Sequence, residues 1–351
     1  MQYFSPLEYI KLDIANQFGL DKKQFEDRLD WVNTNEHQLE SFENQASDKY
    51  RYIAAVMAYR EVQAGKPTGH RVGFDACSSG PQIMSALLRD LTGAENTSLI
   101  GSKRNDLYQV VTETIKEYLP IDYPIEYTRK DIKGVLMPFY YGSIMKPIEL
   151  FGDNTIEHAA FMKVQAMVCP GAAYLLPILK NSWNAYANEH SWVLPDGFVA
   201  RVKVTQIKET IIEVDELDHL KFTHQYLINE GTEEGVANIA NPIQSIDAFI
   251  VREMTRRCNY DRIQFQRVLA LLKKRASKKH SNADEVNSIQ KIWIDQKITS
   301  LVDLEGLKWK DISTFNSDYC NQLIALVERC LNRPSFPVIT VHKNHCGCKT
   351  Y

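Results

Sequence analysis

Two short strand-like runs, far apart in the sequence, constrain the fold of this chain more than any other feature. RVGFD ends at Asp75, and FPVITV covers residues 336–341. Each run is rich in residues that favour strands, and each leads into a turn with polar side chains. In the long segment between them, apolar residues recur mostly at helical spacing. The sequence therefore predicts an α/β (α+β) fold, in which a small sheet carries a large, mostly helical insertion.

Apolar residues recur at helical spacing in most of the remaining chain. The pattern predicts helices over most of residues 5–65 and again in the segments that follow Asp75. Pro195-Asp196-Gly197 separates two β-rich runs, which predicts a hairpin. Residues 259–330 are polar and mostly helical, with the basic run KKRASKKH at 273–280. That run suits either a solvated charged face or contacts with phosphates.

Composition excludes some classes of protein. The net charge of −3 argues against wholesale coating of nucleic acid, although a locally basic groove remains compatible with it. Seven scattered cysteines do not suggest a disulfide framework, so a reducing compartment is expected. The first residues do not form a signal peptide, and no run of 18 apolar residues predicts a membrane span.

The turn after the first strand-like run is a candidate metal site. In GFDACSSGPQ, Asp75 ends the run and a Ser/Gly turn follows. A carboxylate held at a strand end suits Mg²⁺. An Asp before a Ser-rich turn is also a common helix N-cap. Both interpretations are open from this stretch alone.

A second candidate site lies in TRKDIKGVLMPFYYG. Arg129 and Lys133 are four residues apart, so they share one face of a predicted helix. Met137 and either Tyr140 or Tyr141 continue that face. Two cations with an aromatic ring suit a nucleoside triphosphate, whereas two cations alone are typical of a solvated surface. Pro138 lacks an N–H, which predicts a kink beside Tyr141.

The order and spacing of these segments resemble a known family. DACSSGPQIMSALLRDLTGA (75–94) resembles motif A of the single-subunit, phage-type RNA polymerases, which include the mitochondrial ones. NDLYQVV (105–111) resembles the helix after motif A, and TRKDIKGVLMPFYYG resembles motif B. SWVLPDGF (191–198) and ANPIQSIDAFIVREM (240–254) resemble two later segments. The resemblance covers roughly residues 5–255 and 336–347.

The resemblance implies templated nucleotidyl transfer with two Mg²⁺ ions. Asp75 would be a metal ligand, with the backbone of Ala76 beside it. Arg129 and Lys133 would grip the incoming triphosphate, and Lys133 would also be catalytic.

The resemblance also implies a site for the sugar. Tyr141 and Gly142 fall on the Tyr-Gly of motif B, where the family selects ribose. Gln244 falls where the family has a histidine that assists this choice, and its amide can still donate and accept hydrogen bonds.

The C-terminal stretch TVHKNHCGCKTY departs from the family. The resemblance aligns His342 with the His of motif C and Lys343 with its second metal-binding Asp. A protonated lysine cannot bind Mg²⁺, so the activity of this chain is expected to be lost or severely impaired. One rival interpretation is a zinc site at His342, His345, Cys346 and Cys348, whose spacing is cramped for zinc. Another is a strand end without function.

The family architecture is a right hand. It implies palm from residues 1–100 and 240–351, with a helical insertion at 259–330, and fingers from 101–239. The implied partners are a DNA template, an RNA product and NTPs. A second polypeptide would supply the N-terminal domain, the thumb and the first part of the palm, as in bacteriophages with a divided, heterodimeric polymerase. The implied location is the cytoplasm of an infected bacterium. A non-catalytic binding subunit and a DNA polymerase of the same superfamily are the alternatives.

Overall fold

The computed structural model describes residues 4–228, 237–277, 304 and 306–340. Its secondary structure is mostly helical, with two small antiparallel sheets, which confirms the α+β class. The chain divides into two compact units, residues 1–182 and residues 183–351.

The first unit contains helices and no strand in its described part. Its helices are α1 Pro6–Ala15, α2 Phe25–Thr34, α3 Lys49–Gln63, α4 Ser79–Leu88, α5 Leu91–Asn96, α6 Leu107–Glu117, α7 Arg129–Phe139, α8 Met145–Phe151, α9 Ile156–Val168 and α10 Pro170–Asn181. A π-helical turn (Asn16–Leu20) and a 3-10 segment (Glu36–Phe42) join the first three. These elements confirm the helices predicted from apolar spacing.

Two packing groups organise the first unit. Helices α1, α2 and α3 enclose a core that includes Ile14, Val32, Leu39 and Tyr52, all fully buried. Helix α6 packs against α7 and α9, and α4 packs against α10. The first group precedes Asp75 in sequence, and the second group follows it.

The second unit carries both sheets. Strands β1 Glu189–Val193 and β2 Val199–Lys203 form the hairpin predicted around Pro195-Asp196-Gly197, with Trp192 opposite Ala200. Strands β3 Gln206–Val214 and β4 Leu220–Ile228 form a second hairpin, which the sequence did not predict separately.

Four helices complete the second unit. They are α11 Ala237–Cys258, α12 Arg262–Ala276, α13 Trp309–Ile312 and α14 Ser317–Leu331. The last three share a core of their own, which includes Phe265, Leu272, Tyr319 and Val327. The predicted helical character of residues 259–330 is therefore confirmed where the structure describes that segment.

The two strands from which the small sheet was predicted are not formed. No strand includes residues 71–75 or 336–340, and residue 341 lies outside the described part. A strand needs a paired neighbour, and these runs make other contacts. The Phe74 ring packs edge-on against Tyr9, with centroids 5.4 Å apart, and the Phe336 amide donates to the Cys258 carbonyl at the end of α11.

Within the described residues, no single helix is both long enough and apolar enough to cross a membrane. Helices α9 and α10 reach that length and composition only as a pair, and the pair is bent by 107°.

Candidate nucleotide site

The turn that carries Asp75 ends in an unusual backbone conformation. Ser78 precedes α4 with φ 60° and ψ 62°, in the left-handed region that non-glycine residues seldom adopt. This conformation lets an extended segment turn directly into the helix that starts at Ser79. Asp75 and Ala76 are exposed on the turn, and no described residue forms a hydrogen bond or ion pair with the Asp75 carboxylate.

Tyr141 lies directly against this turn. A Cβ added to Gly80 would be 3.3 Å from Cζ of Tyr141 and 3.4 Å from its hydroxyl. A glycine at position 80 leaves room for the ring, whereas a larger residue would require the ring to shift by a few tenths of an ångström. The structure thus brings the predicted sugar residue of motif B against the predicted motif A turn.

Helix α7 ends before it reaches Tyr141. Pro138 is its penultimate residue, and the Tyr141 and Gly142 amides donate to the carbonyls of Pro138 and Phe139 in a tight turn. Gly142 has φ 95°, which suits glycine. The kink predicted beside Tyr141 is therefore a helix end. Of the two tyrosines, Tyr140 is buried, and burial raises its pKa well above the ordinary tyrosine value.

Arg129 and Lys133 face the same aromatic ring. Cζ of Arg129 lies 5.3 Å from the centroid of Tyr108, and Nζ of Lys133 lies 5.7 Å from it. Both distances are within cation–π range. Thr128 and Asp131 form a capping box that fixes the start of α7, and Arg129 is its first residue. The predicted shared face of Arg129 and Lys133 is confirmed.

Tyr108 links these cations to the Asp75 turn. It is 8% exposed and shares a hydrogen bond with Ser78. Burial raises the pKa of Tyr108, the Ser78 hydrogen bond opposes that shift, and the charge of Asp106 adds to it. The phenol therefore stays protonated at neutral pH.

Asp106 completes the cluster. Its Oδ2 accepts from Arg129 Nε at 2.9 Å and lies 2.6 Å from Arg129 Nη2. Arg104 Nη2 is 4.0 Å from the same oxygen. Sequence reasoning singled out neither Asp106 nor Tyr108. The signal was available in NDLYQVV, which the family resemblance had already placed directly after motif A.

Three predicted site residues lie in the second unit or outside the described residues. Gln244 is exposed on α11, in the second unit. His342 and Lys343 lie outside the described residues, as do the cysteines and His345 of the alternative zinc site. Their roles remain predictions.

The donors at the Asp75 turn fit part of a magnesium site. Mg²⁺ takes oxygen ligands and commonly keeps several waters while binding one or two carboxylates and substrate phosphates. The exposed Asp75 carboxylate and the neighbouring Ala76 backbone are suitable oxygen donors. A protonated Lys343 is not suitable as a second protein ligand. Within the described residues, a group of three possible ligands occurs only at Glu213, Asp215 and His219, which are all exposed at the β3–β4 turn.

Comparison with known proteins supports the resemblance. Residues 5–175 match the family model described as DNA-dependent RNA polymerase. This part of the chain is similar to these polymerases. This match includes both the Asp75 turn and α7, and it confirms the resemblance to the phage-type family.

Two curated relatives agree with the family match. A "Probable DNA-directed RNA polymerase" of Neurospora crassa is 30% identical over 162 residues, which is 40% of this chain and 18% of that protein. A "DNA-directed RNA polymerase" of Pseudomonas phage phiKMV is 31% identical over 134 residues, which is 33% of this chain and 16% of that protein. The chain thus spans less than a fifth of the length of either relative.

Proposed function

We propose that this polymerase relative takes part in DNA-templated RNA synthesis and forms the nucleotide-binding part of the enzyme. The contact between Tyr141 and Gly80 carries the proposal, since it joins the motif A and motif B segments at one place. Arg129 and Lys133 stand over Tyr108, which is itself bonded to Ser78 of the same turn. Carboxylate, aromatic ring and paired cations are the groups that a metal-bound triphosphate requires.

The proposed roles follow from the chemistry of each side chain. Arg129 and Lys133 would bind the triphosphate of the incoming nucleotide, because both project from the first turns of α7. Tyr141 would contact the sugar. Asp75 and the backbone of Ala76 would hold Mg²⁺, which when bound neutralises phosphate charge and lowers the pKa of the attacking hydroxyl.

Selection of ribose is proposed to depend on Tyr141. Its hydroxyl lies beside Gly80 in the first turn of α4, where it could recognise a sugar hydroxyl. Gln244 is proposed to assist through its amide. A preference for NTPs over dNTPs would separate this proposal from a DNA polymerase.

Lys343 supports a second candidate function. A cation in place of the second metal-binding carboxylate would disfavour catalysis while leaving the cluster at Arg129 and Lys133 intact. The chain would then be a polymerase-like subunit that binds nucleic acid or a partner without chemistry.

We also propose that the rest of the polymerase comes from a second polypeptide, which would supply an N-terminal domain, a thumb and the first part of the palm. The resemblance to a family in which some bacteriophages divide the polymerase between two polypeptides motivates the proposal. The complex would act on a DNA template in the cytoplasm of an infected bacterium. Copurification from infected cells tests it, and recovery of this chain without a second polypeptide would contradict it.

Primer extension tests the catalytic proposal. The chain, purified with any partner that coelutes, is given primed single-stranded DNA, Mg²⁺ and NTPs, alongside Lys343→Asp. Extension only by Lys343→Asp would support the polymerase and identify Lys343 as the inactivating change. Asp75→Asn in the Lys343→Asp background is expected to abolish extension.

The other outcomes are equally informative. Extension by the chain with Lys343 would show that the second carboxylate lies elsewhere. Binding of primer–template without extension by either version would favour the non-catalytic subunit. Neither binding nor extension would overturn both the polymerase and the nucleic-acid-binding subunit.

A further inference from the structure

Asp106 uses its two carboxylate oxygens for different tasks. Oδ1 accepts from the amides of Tyr108 at 3.2 Å and Gln109 at 3.4 Å, and so caps α6. Oδ2 faces Arg129, with Nε at 2.9 Å and Nη2 at 2.6 Å. Because the cap fixes one oxygen to a helix, the other is held in a defined place.

This carboxylate holds one edge of the Arg129 guanidinium. Nε and one N–H of Nη2 form that edge, so the hydrogens of Nη1 point elsewhere. The Arg129 side chain is 29% exposed, whereas that of Asp106 is 16% exposed. The aromatic ring of Tyr108 limits movement on another side. Arg129 is therefore restrained by two groups and still has an accessible part.

We propose that Asp106 is a positioning residue that orients Arg129 for binding a nucleoside triphosphate. This inference rests on the proposed function of the same site and adds a residue to it. An arginine that is already oriented loses less conformational freedom when a ligand binds. The expected result of losing the carboxylate is weaker binding of the triphosphate.

The alternative roles of Asp106 predict other results. A residue that serves only as a helix cap could be replaced by Asn without loss, because Asn is an equally good N-cap. If the carboxylate merely competes with phosphates for Arg129, it weakens binding of the triphosphate. Its removal would then make the triphosphate bind more tightly. The direction of the change in affinity therefore separates the three roles.

The test is the affinity of Mg²⁺-ATP for the full chain and for Asp106→Asn, measured by isothermal titration calorimetry. The chain is purified with any partner that coelutes, and thermal unfolding verifies that the variant is folded. We expect the dissociation constant for ATP to rise about five- to tenfold, consistent with the cost of immobilising one long side chain. Adenosine, which lacks phosphates, should bind both proteins equally.

A matched charge control is available on the helix that carries Arg129. Asp131→Asn removes a carboxylate two residues from Arg129, but that carboxylate bonds to Thr128 and not to the guanidinium. We expect its effect on ATP affinity to be less than about twofold, as for an exposed charge.

A double-mutant cycle tests whether Asp106 acts through Arg129. If it does, adding Asp106→Asn to Arg129→Gln should change ATP affinity by less than about twofold. Unchanged or tighter ATP binding by the single variant Asp106→Asn would overturn the inference. So would an Asp106→Asn effect on ATP affinity that is as large in the Arg129→Gln background as in the unsubstituted chain. If the unsubstituted chain does not bind ATP, the nucleotide-binding proposal is wrong, and so is the proposed role of Asp106.

Discussion

At the residue scale, Gly80 is a position where one added methyl group would press on a ring of the candidate site. Its helical backbone would accept alanine, which favours helix by about 1 kcal/mol over glycine. The obstacle is tertiary, because the new Cβ would lie 3.3 Å from the ring of Tyr141. Helix propensity and site geometry therefore favour different residues at position 80.

Gly80→Ala is expected to reduce the preference for ATP over dATP without lowering stability. A displaced Tyr141 hydroxyl would lose a hydrogen bond to the sugar, which is worth about 1 kcal/mol, or roughly fivefold in affinity. Binding titrations with both nucleotides measure the preference, and thermal unfolding measures stability. An unchanged preference would contradict the expectation that the packing of Tyr141 against Gly80 sets the choice of sugar.

At the element scale, the β1–β2 turn is joined to α11 by a buried carboxylate. The Asp196 side chain is 1% exposed, and its Oδ2 accepts from Arg252 Nε at 2.8 Å and lies 3.6 Å from Arg256 Nη1. Burial alone would raise the pKa of Asp196, but the Arg252 hydrogen bond, the Phe198 amide and both cations lower it overall. This ion pair fixes the hairpin against the helix.

The lowered pKa of Asp196 makes the second unit sensitive to acid. A carboxyl with a lower pKa in the folded state stabilises the fold above its unfolded pKa of about 4. That stabilisation is lost as the pH falls through the lower folded value. We expect Asp196→Asn to cost about 1–3 kcal/mol at pH 7 and less as the pH falls below 4. Urea unfolding at several pH values measures this difference, and a cost that does not depend on pH would exclude the ion pair as its source.

At the scale of the whole molecule, the described groups that form the cluster at the candidate site lie in the first unit. Asp75, Gly80, Asp106, Arg129 and Tyr141 fall between residues 4 and 182, and the core around α1, α2 and α3 also belongs to this unit. The second unit has a separate core around α12 and α14. The triphosphate-binding groups therefore need no side chain from residues 183–351 to form their contacts with each other.

We expect residues 1–182, produced alone, to fold and to bind Mg²⁺-ATP within about threefold of the full chain. The physical reason is that the ring of Tyr108 and the carboxylate of Asp106 restrain the cations within this unit. Circular dichroism and calorimetry provide the measurements. A folded fragment with much weaker binding would show that the second unit, for example through Gln244, contributes to the nucleotide site.

Local sequence determined the elements that carry the site. The capping box of Thr128 and Asp131 starts α7, and four-residue spacing puts Arg129 and Lys133 on one face. Pro195-Asp196-Gly197 likewise produces the predicted hairpin. These features depend on neighbours within a few residues, so helix period and turn chemistry were sufficient to predict them.

Tertiary structure decided what these elements meet. The strand-like run before Asp75 has no strand partner in the described residues, and the Phe74 ring contacts Tyr9. From sequence, Asp106 is an ordinary helix cap. In the structure its second oxygen also accepts a hydrogen bond from Arg129, 23 residues later. From sequence, Tyr108 is an ordinary core aromatic residue. In the structure two cations lie over its ring. Sequence periodicity assigns a side chain to a face, but only packing between distant segments determines which charge or ring lies opposite it.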